Sequence, residues 1–412
     1  MRQKLKGLMF GIVAGFLCTM LVGMVVNRNL ALEGTYTYLK LFNEVLSLVR
    51  NAYVDEVGTV PLMRGAYDGL LSELDPFSEY LTEEEHEAWV AFRQQGGANA
   101  PGPDAGLRVA RKEGILQVVS VKPGSAAAAK GITPGDRIRK IGDGSSLDMS
   151  VFKAQSQLAG KEGGTVTISV LRRDEPRKLD EELTFGQTSL PEVSFNTVDK
   201  TGGIGVLTIP HFQPGVADQV ARALAKAQRA KVGRLLIDLR GNAWGSIREA
   251  VDASALFTSD GVIARLKGRH GEGEELKSER QSAGYVGKIA VLIDGSTADA
   301  AELFAAALGD AGASLVGETT FGVGAEQEAL PLKDGGYLVL SVKKYVSPRG
   351  TAWHGKGLAP GTPMVVAQEN MTWADRHKKQ LEQAIEHLKG LSADRATESA
   401  SALPETPAES GS

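Results

Sequence analysis

Apolar residues follow several different rhythms along this chain, and each predicts a different kind of element. From Leu8 to Val26 nineteen residues pass without a charge, just after Arg2, Lys4 and Lys6. That is close to the roughly twenty residues a helix needs to cross a bilayer, and a basic flank ahead of it keeps the N-terminus in the cytoplasm. Residues 1–33 are therefore expected to form a membrane anchor. A cleavable signal peptide is the rival, but its apolar run is usually shorter and no clear Ala-x-Ala site follows here. Next, Leu39, Leu41, Phe42, Val45, Leu46, Leu48 and Val49 recur at helical spacing. A second helix is predicted over Val60–Leu74, stopped by Asp75-Pro76. Residues 34–95 thus read as a helical segment whose apolar stripe packs on the core or on a second subunit. The stretch Gln94–Asp104, rich in Gly, Ala and Pro, reads as a linker.

Residues 190–366 alternate strands with helices. Strands are predicted at Gly203–Ile209, Arg234–Leu239, Lys288–Ile293, Ser314–Gly317 and Gly336–Tyr345, and helices at Val216–Ala230, Ser246–Phe257 and Ala300–Leu308. Such interleaving indicates an α/β layered core. A charged helix follows at Thr372–Leu388 within residues 367–391, and residues 392–412, rich in Ser, Ala, Glu and Pro, should be disordered.

Composition narrows the chemistry. With 46 basic and 50 acidic residues the net charge is −4, so no nucleic-acid partner is expected. The single cysteine, Cys18, lies inside the apolar run behind Leu17, which excludes a lipoprotein signal and leaves the body without disulfide or thiolate chemistry. Six histidines are scattered without metal-ligand spacing, so neither a metal nor a cofactor is expected.

The chemistry-bearing segment is Gly295-Ser296-Thr297-Ala298-Asp299-Ala300-Ala301-Glu302, which runs into the helix Leu303–Leu308. It resembles the nucleophile segment of the C-terminal processing peptidases, or tail-specific proteases. The resemblance implies a serine at position 299 and a lysine base twenty-four residues on, in Thr320-Phe321-Gly322-Val323-Gly324; this chain has Asp299 and Val323 instead. It also implies an oxyanion hole built from the N–H of Ala300 and a glycine N–H in Arg240-Gly241-Asn242-Ala243-Trp244-Gly245, where Trp244 stands in the glycine's place. A Trp there would restrict the backbone and is expected to fill the cleft. The family's glutamine is kept as Gln327. Read from the residues alone, Asp299-x-x-Glu302 ahead of an apolar run is a helix N-cap with a reciprocal Glu.

Between these regions, Gly106-Leu107-Arg108-Val109, Val118–Val121, Pro123-Gly124-Ser125-Ala126 and Gly131-Ile132-Thr133-Pro134-Gly135-Asp136 resemble a PDZ domain of the bacterial protease kind, bounded at residues 104–186. A helix at Ser150–Leu158 and a strand at Thr165–Arg172 complete it. Such domains capture an extended C-terminus as an added strand. By resemblance Gly106, Leu107, Arg108 and Val109 would hold it, with Val151 and Phe152 on the facing helix; the alternative is a PDZ kept only as a packing module. The implied fold class is an α/β multidomain chain: helical segment, PDZ-like β domain, and a crotonase/Clp-protease-like α/β core at residues 187–366.

A serine needs a base to become nucleophilic, and valine cannot supply one. The expected function is thus a non-catalytic, inner-membrane homologue, its body in the periplasm or otherwise outside the cytoplasm. It would bind polypeptide C-termini or an active protease paralogue, with homo-oligomerisation open. The alternative is an active serine-type endopeptidase using Ser296 with Lys343 or Lys344. A scaffold acting through its helical segment is a third class.

Overall fold

The computed structural model describes residues 36–391 apart from 101, 113, 148, 173–177, 199–202, 260, 272 and 365–370. The expected anchor, including the apolar run 8–26, and the expected disordered tail lie outside the described residues. Among those described, no helix is long and apolar enough to cross a membrane. The chain divides into two units, residues 1–70 and 71–412.

In the first unit, residues 36–52 are helical and a second helix, Thr59–Ser72, begins. Leu39, Leu41, Phe42, Val45 and Leu48 of the apolar stripe are exposed, and Leu46 and Val49 are half-buried.

The larger unit begins with what was expected to be the end of the helical segment. Glu79–Leu81 is instead a strand, pairing antiparallel with Tyr337–Val339. The helix Glu83–Gln94 follows, closed at its start by a reciprocal capping box between Thr82 and Glu85. The expected linker is pinned too: Asn99 Nδ2 donates to Gly245 O, and Gly245 N–H donates to Asn99 Oδ1, both at 2.9 Å.

The PDZ part is a six-stranded antiparallel sheet, ordered Leu107–Lys112, Ile115–Val121, Arg137–Ile141, Thr165–Leu171 and Lys178–Thr184, with Gly144–Ser145 at its side. The helix Val151–Gln157, N-capped by Ser150, lies beside the first strand. Leu107, Val109, Leu116, Val118, Ile138, Ile168 and Val170 fill its core.

The catalytic-type core holds a second six-stranded sheet, ordered Thr362–Pro363, Ser314–Gly317, Lys288–Ile293, Arg234–Asp238, Ile204–Thr208 and Ser194–Thr197. All pairings are parallel except the last. Parallel strands buried on both faces read as unbroken apolar runs. Leu235, Ile237, Val291 and Ile293 face the helices Val216–Arg229, Ile247–Ser254 and Ala300–Asp310, while Leu236, Ala290 and Leu292 face the C-terminal helix Trp373–Gly390 through Ala384 and Leu388. A five-stranded antiparallel sheet of Glu79–Leu81, Ala325–Pro331, Tyr337–Val346, Val262–Gly268 and Gly273–Lys277 completes the unit.

Candidate active site

The site grows from the turn between the strand Lys288–Ile293 and the helix Ala300–Asp310. Asp294 ties that turn: its Oδ1 accepts from the Ser296 N–H at 3.0 Å, the Ser296 hydroxyl at 2.8 Å and the Thr297 hydroxyl at 3.1 Å. Burial would raise the Asp294 carboxyl, but bonds from His377 and Ser296 and the charge of Arg240 hold it below the ordinary carboxylate range. Ser296 is thus a buried turn residue whose proton is spent and whose oxygen accepts from the Gly241 N–H at 3.1 Å. Lys343 pairs with Glu326 at 3.2 Å and Lys344 is exposed. Nothing assembles Ser296 with either lysine as a displaced dyad.

At the end of the turn Asp299 adopts φ +58°, ψ −118°. For a residue bearing a Cβ this is strained, at a cost of about 1–3 kcal/mol. Glu302 fixes it there. This side chain is completely buried; its Oε2 accepts from the N–H groups of Asp299 at 3.1 Å and Val323 at 2.7 Å, and its Oε1 from Gly322 N–H at 2.8 Å and the Thr320 hydroxyl. One carboxylate therefore clamps both positions that the resemblance singled out. Burial pushes Glu302 up to about 8, against four donors that favour the anion.

Asp299 caps the helix in the expected box with Glu302, whose Oε2 accepts from the Asp299 N–H at 3.1 Å. The Asp299 carboxylate also reaches the PDZ domain, where Arg108 Nη2 donates to Asp299 Oδ2 at 3.3 Å. Desolvation outweighs the mutual attraction for both partners, raising Asp299 and lowering Arg108. Arg108 Nη1 is buried without a hydrogen-bond partner.

Val323 joins an apolar seal between the two domains: Ala110 and Val119 of the PDZ meet Ala243, Ala298 and Phe321 of the core, with Phe77 and Val323 against them. Trp244 departs from the expectation. Its indole does not line the cleft but is buried against the PDZ, with Nε1 donating to Ser120 Oγ at 3.1 Å and the Lys122 ammonium 4.7 Å from the ring centroid. The physical reason is that the backbone strain falls one residue later. Gly245 has φ +118°, and a Cβ there would stand 2.1 Å from Phe212 C. Among the described hydrogen bonds none engages the N–H of Trp244 or Ala300, so Trp244 does not spend the backbone donors expected to form an oxyanion hole. Gln327 Nε2 donates to Phe77 O.

Asp299, Val323, Gln327, Arg108, Val109, Val151 and Phe152 line one cavity of ≈ 380 Å³, so the expected peptide-binding and active-site positions share a single space. Gly106 and Leu107, also expected to hold a peptide, do not line it, and their backbone is already engaged: Gly106 N–H donates to Asp104 Oδ1 at 2.8 Å, and Leu107 O accepts from Gln155 Nε2 at 2.9 Å. Arg108 was expected in the peptide site but not as the partner of Asp299, and Glu302 as the common clamp and Asn99 as a tie to Gly245 were not foreseen as site residues. Only Glu302 left a signal, as the reciprocal Glu of a cap.

Residues 203–364 match the model of peptidase family S41, and residues 103–183 that of the PDZ domain. The carboxy-terminal processing protease CtpA of Bacillus subtilis is 30% identical over 369 residues, 87% of this chain and 77% of that protein. This chain belongs to the C-terminal processing peptidase family. It is 29% identical over 326 residues to a probable CtpA-like serine protease of Staphylococcus aureus, spanning 64% of that relative's length. Among solved structures, a photosystem II D1 C-terminal processing protease superposes with a TM-score of 0.61 at 22% identity, covering 79% of this chain and 92% of that one, and so shares its fold. The family assignment carries serine-type peptidase architecture with a PDZ domain, as expected from the sequence.

Proposed function

We propose that this chain is a non-catalytic member of its family that holds polypeptide C-termini, or a partner protease, through its PDZ domain. The observation carrying the proposal is the Asp299 carboxylate, which occupies the clamped turn with the Arg108 guanidinium as its counter-ion while position 323 offers only an isopropyl group. Acyl transfer to a carboxylate would give a mixed anhydride, and no titratable base takes the place of Val323. Anchoring by residues 8–26 in the inner membrane, with the body outside the cytoplasm, belongs to the same proposal. So does partnership with a second copy or an active paralogue. A reporter fused after Gly34 should be active only where export is required; activity in the cytoplasm would refute that topology.

The alternative, an active endopeptidase cleaving near protein C-termini, draws support from the unspent N–H groups of Trp244 and Ala300. Incubation of the purified protein with an unstructured polypeptide separates the two. No cleavage is expected from the unmodified chain or from Asp299→Ser alone, because a nucleophile without its base gains little. Asp299→Ser with Val323→Lys should recover measurable turnover, and without Trp244→Gly, since the indole faces the PDZ. Cleavage by the unmodified chain that survives Ser296→Ala, Lys343→Ala and Lys344→Ala sinks the non-catalytic reading.

A further inference from the structure

The edge of the PDZ strand that faces the helix Val151–Gln157 is where an added strand would pair. Added strands are held by alternating backbone acceptors and donors. Here those groups are already in use. Gln155 Nε2 donates to Leu107 O at 2.9 Å, and Gln155 Oε1 accepts from Val109 N–H at 3.0 Å. The bonded groups flank Arg108, so one side-chain carboxamide supplies the donor and the acceptor that a strand residue lying opposite Arg108 would supply. The orientation of the amide is fixed by its partners, since a backbone N–H only donates and a carbonyl only accepts.

Two further facts place a ligand there. Gln155 lines the same cavity as Arg108, Val109, Val151 and Phe152, so displacing it opens into existing space rather than into packed core. Arg108, between the two engaged groups, keeps one buried Nη1 without a partner, a spare charged donor suited to a carboxylate.

We propose that Gln155 is an intramolecular stand-in for the peptide. At rest its carboxamide occupies the strand position, and a polypeptide C-terminus binds by displacing it, backbone N–H and C=O groups from different peptide units near its end taking Leu107 O and Val109 N–H while the terminal carboxylate meets Arg108. This rests on the reading of the PDZ as a C-terminus binder, and it adds that the groove carries its own competitor. The two exchanged bonds are neutral and worth about 1 kcal/mol net each, so removing the competitor should tighten binding roughly thirtyfold.

The test uses the full chain and a fluorescein-labelled hexapeptide ending in Ala-Val, with free and amidated termini. Gln155→Ala and Gln155→Met, the latter keeping length without polar groups, should both bind the free peptide roughly thirtyfold more tightly than the unmodified protein. All three should lose the amidated one. Equal affinities across the three proteins, with amidation still abolishing binding, would overturn the stand-in and leave the C-terminus reading intact. Equal binding of amidated and free peptide, or no binding by any protein, would overturn that reading and this inference with it. In the unmodified protein, saturating free peptide should release the Gln155 side-chain amide protons to fast exchange. If they stay protected with peptide bound, the stand-in is refuted whatever the variants do.

Discussion

Removing either member of the Arg108–Asp299 pair should loosen the PDZ from the core, and removing both should not. At 3.3 Å, and with an effective dielectric constant of about 20, their Coulomb attraction is roughly 5 kcal/mol. Desolvation opposes it, as the upward push on Asp299 and the downward push on Arg108 record. The pair as a whole is therefore near break-even, but an orphaned partner is not. Breaking a fully buried pair costs about 3–5 kcal/mol. With side chains 19% and 23% exposed, water relieves part of that, so Arg108→Met or Asp299→Ala alone should cost about 2 kcal/mol of docking. The assay is hydrogen exchange in the seal segments around Ala110–Val119 and Ala243–Gly245, where local opening sets the rate. About 2 kcal/mol corresponds to roughly a thirtyfold faster exchange in each single variant. The double variant Arg108→Met/Asp299→Ala should return to within a fewfold of the unmodified protein. Additive acceleration in the double variant, or single variants within twofold of the parent, would refute the reasoning, because the two side chains would then not be coupled.

Glu79, whose carboxylate accepts from the Val151 N–H at 2.9 Å, is pushed up to about 7 by burial. A raised pKa means its stabilisation is complete below the unfolded value near 4.5 and is lost as pH rises through 7. Exchange in the helix Val151–Gln157 should accordingly quicken from pH 5 to pH 8 after correction for intrinsic rates, and Glu79→Gln should flatten that dependence. Glu302→Gln places an NH₂ among four donors, and should cost at least about 3 kcal/mol in thermal or urea unfolding; a midpoint within 1 °C of the parent would deny Glu302 its clamping role. Trp244→Gly should expose Ala110–Val119 to exchange by undocking the PDZ without opening a substrate cleft, and unchanged exchange there would contradict the docked indole. Asp299→Gly should be about 1 kcal/mol more stable than Asp299→Ala, since both lose the carboxylate and only Gly sheds the strain at φ +58°; equal stability would mean the turn is unstrained.

Local periodicity carried the layered core. Lys288–Ile293 and Ser314–Gly317 lie where an apolar run predicts them, and Val216–Arg229 ends one residue short of the predicted helix. The strands Val262–Gly268, Gly273–Lys277 and Ala325–Pro331 were not legible, because they form a half-exposed sheet whose residues include Arg265, Lys267, Glu274, Glu275, Glu326 and Glu328. Glu79–Leu81 is only three residues long and is a strand by virtue of its partner, not its composition. The site positions 299 and 323 were readable from motif spacing. What they touch was not: Arg108 and Asp299 are 191 residues apart, and Trp244 and Ser120 are 124 apart. A side chain's type limits what it can do, but only the fold decides which way Trp244 faces.

The geometry at position 299 is set by groups other than the residue standing there. Phe321 N–H donates to Thr297 O at 3.0 Å, Ala298 N–H to Asn242 O at 2.9 Å, and the Asp299 and Val323 N–H groups share one oxygen of a buried Glu302. The helix that follows is buried on every face from Ala300 to Leu308, so the turn cannot relax by moving it. Backbone strain survives where its surroundings over-determine it. A frame of this kind aims whatever side chain it holds into the cavity, at a cost the rest of the fold bears. An aspartate so aimed, opposite an arginine from the PDZ and beside an apolar seal, is suited to fixing one domain against the other. On the proposed non-catalytic reading, a frame able to orient a nucleophile orients a docking contact instead, with no change of backbone.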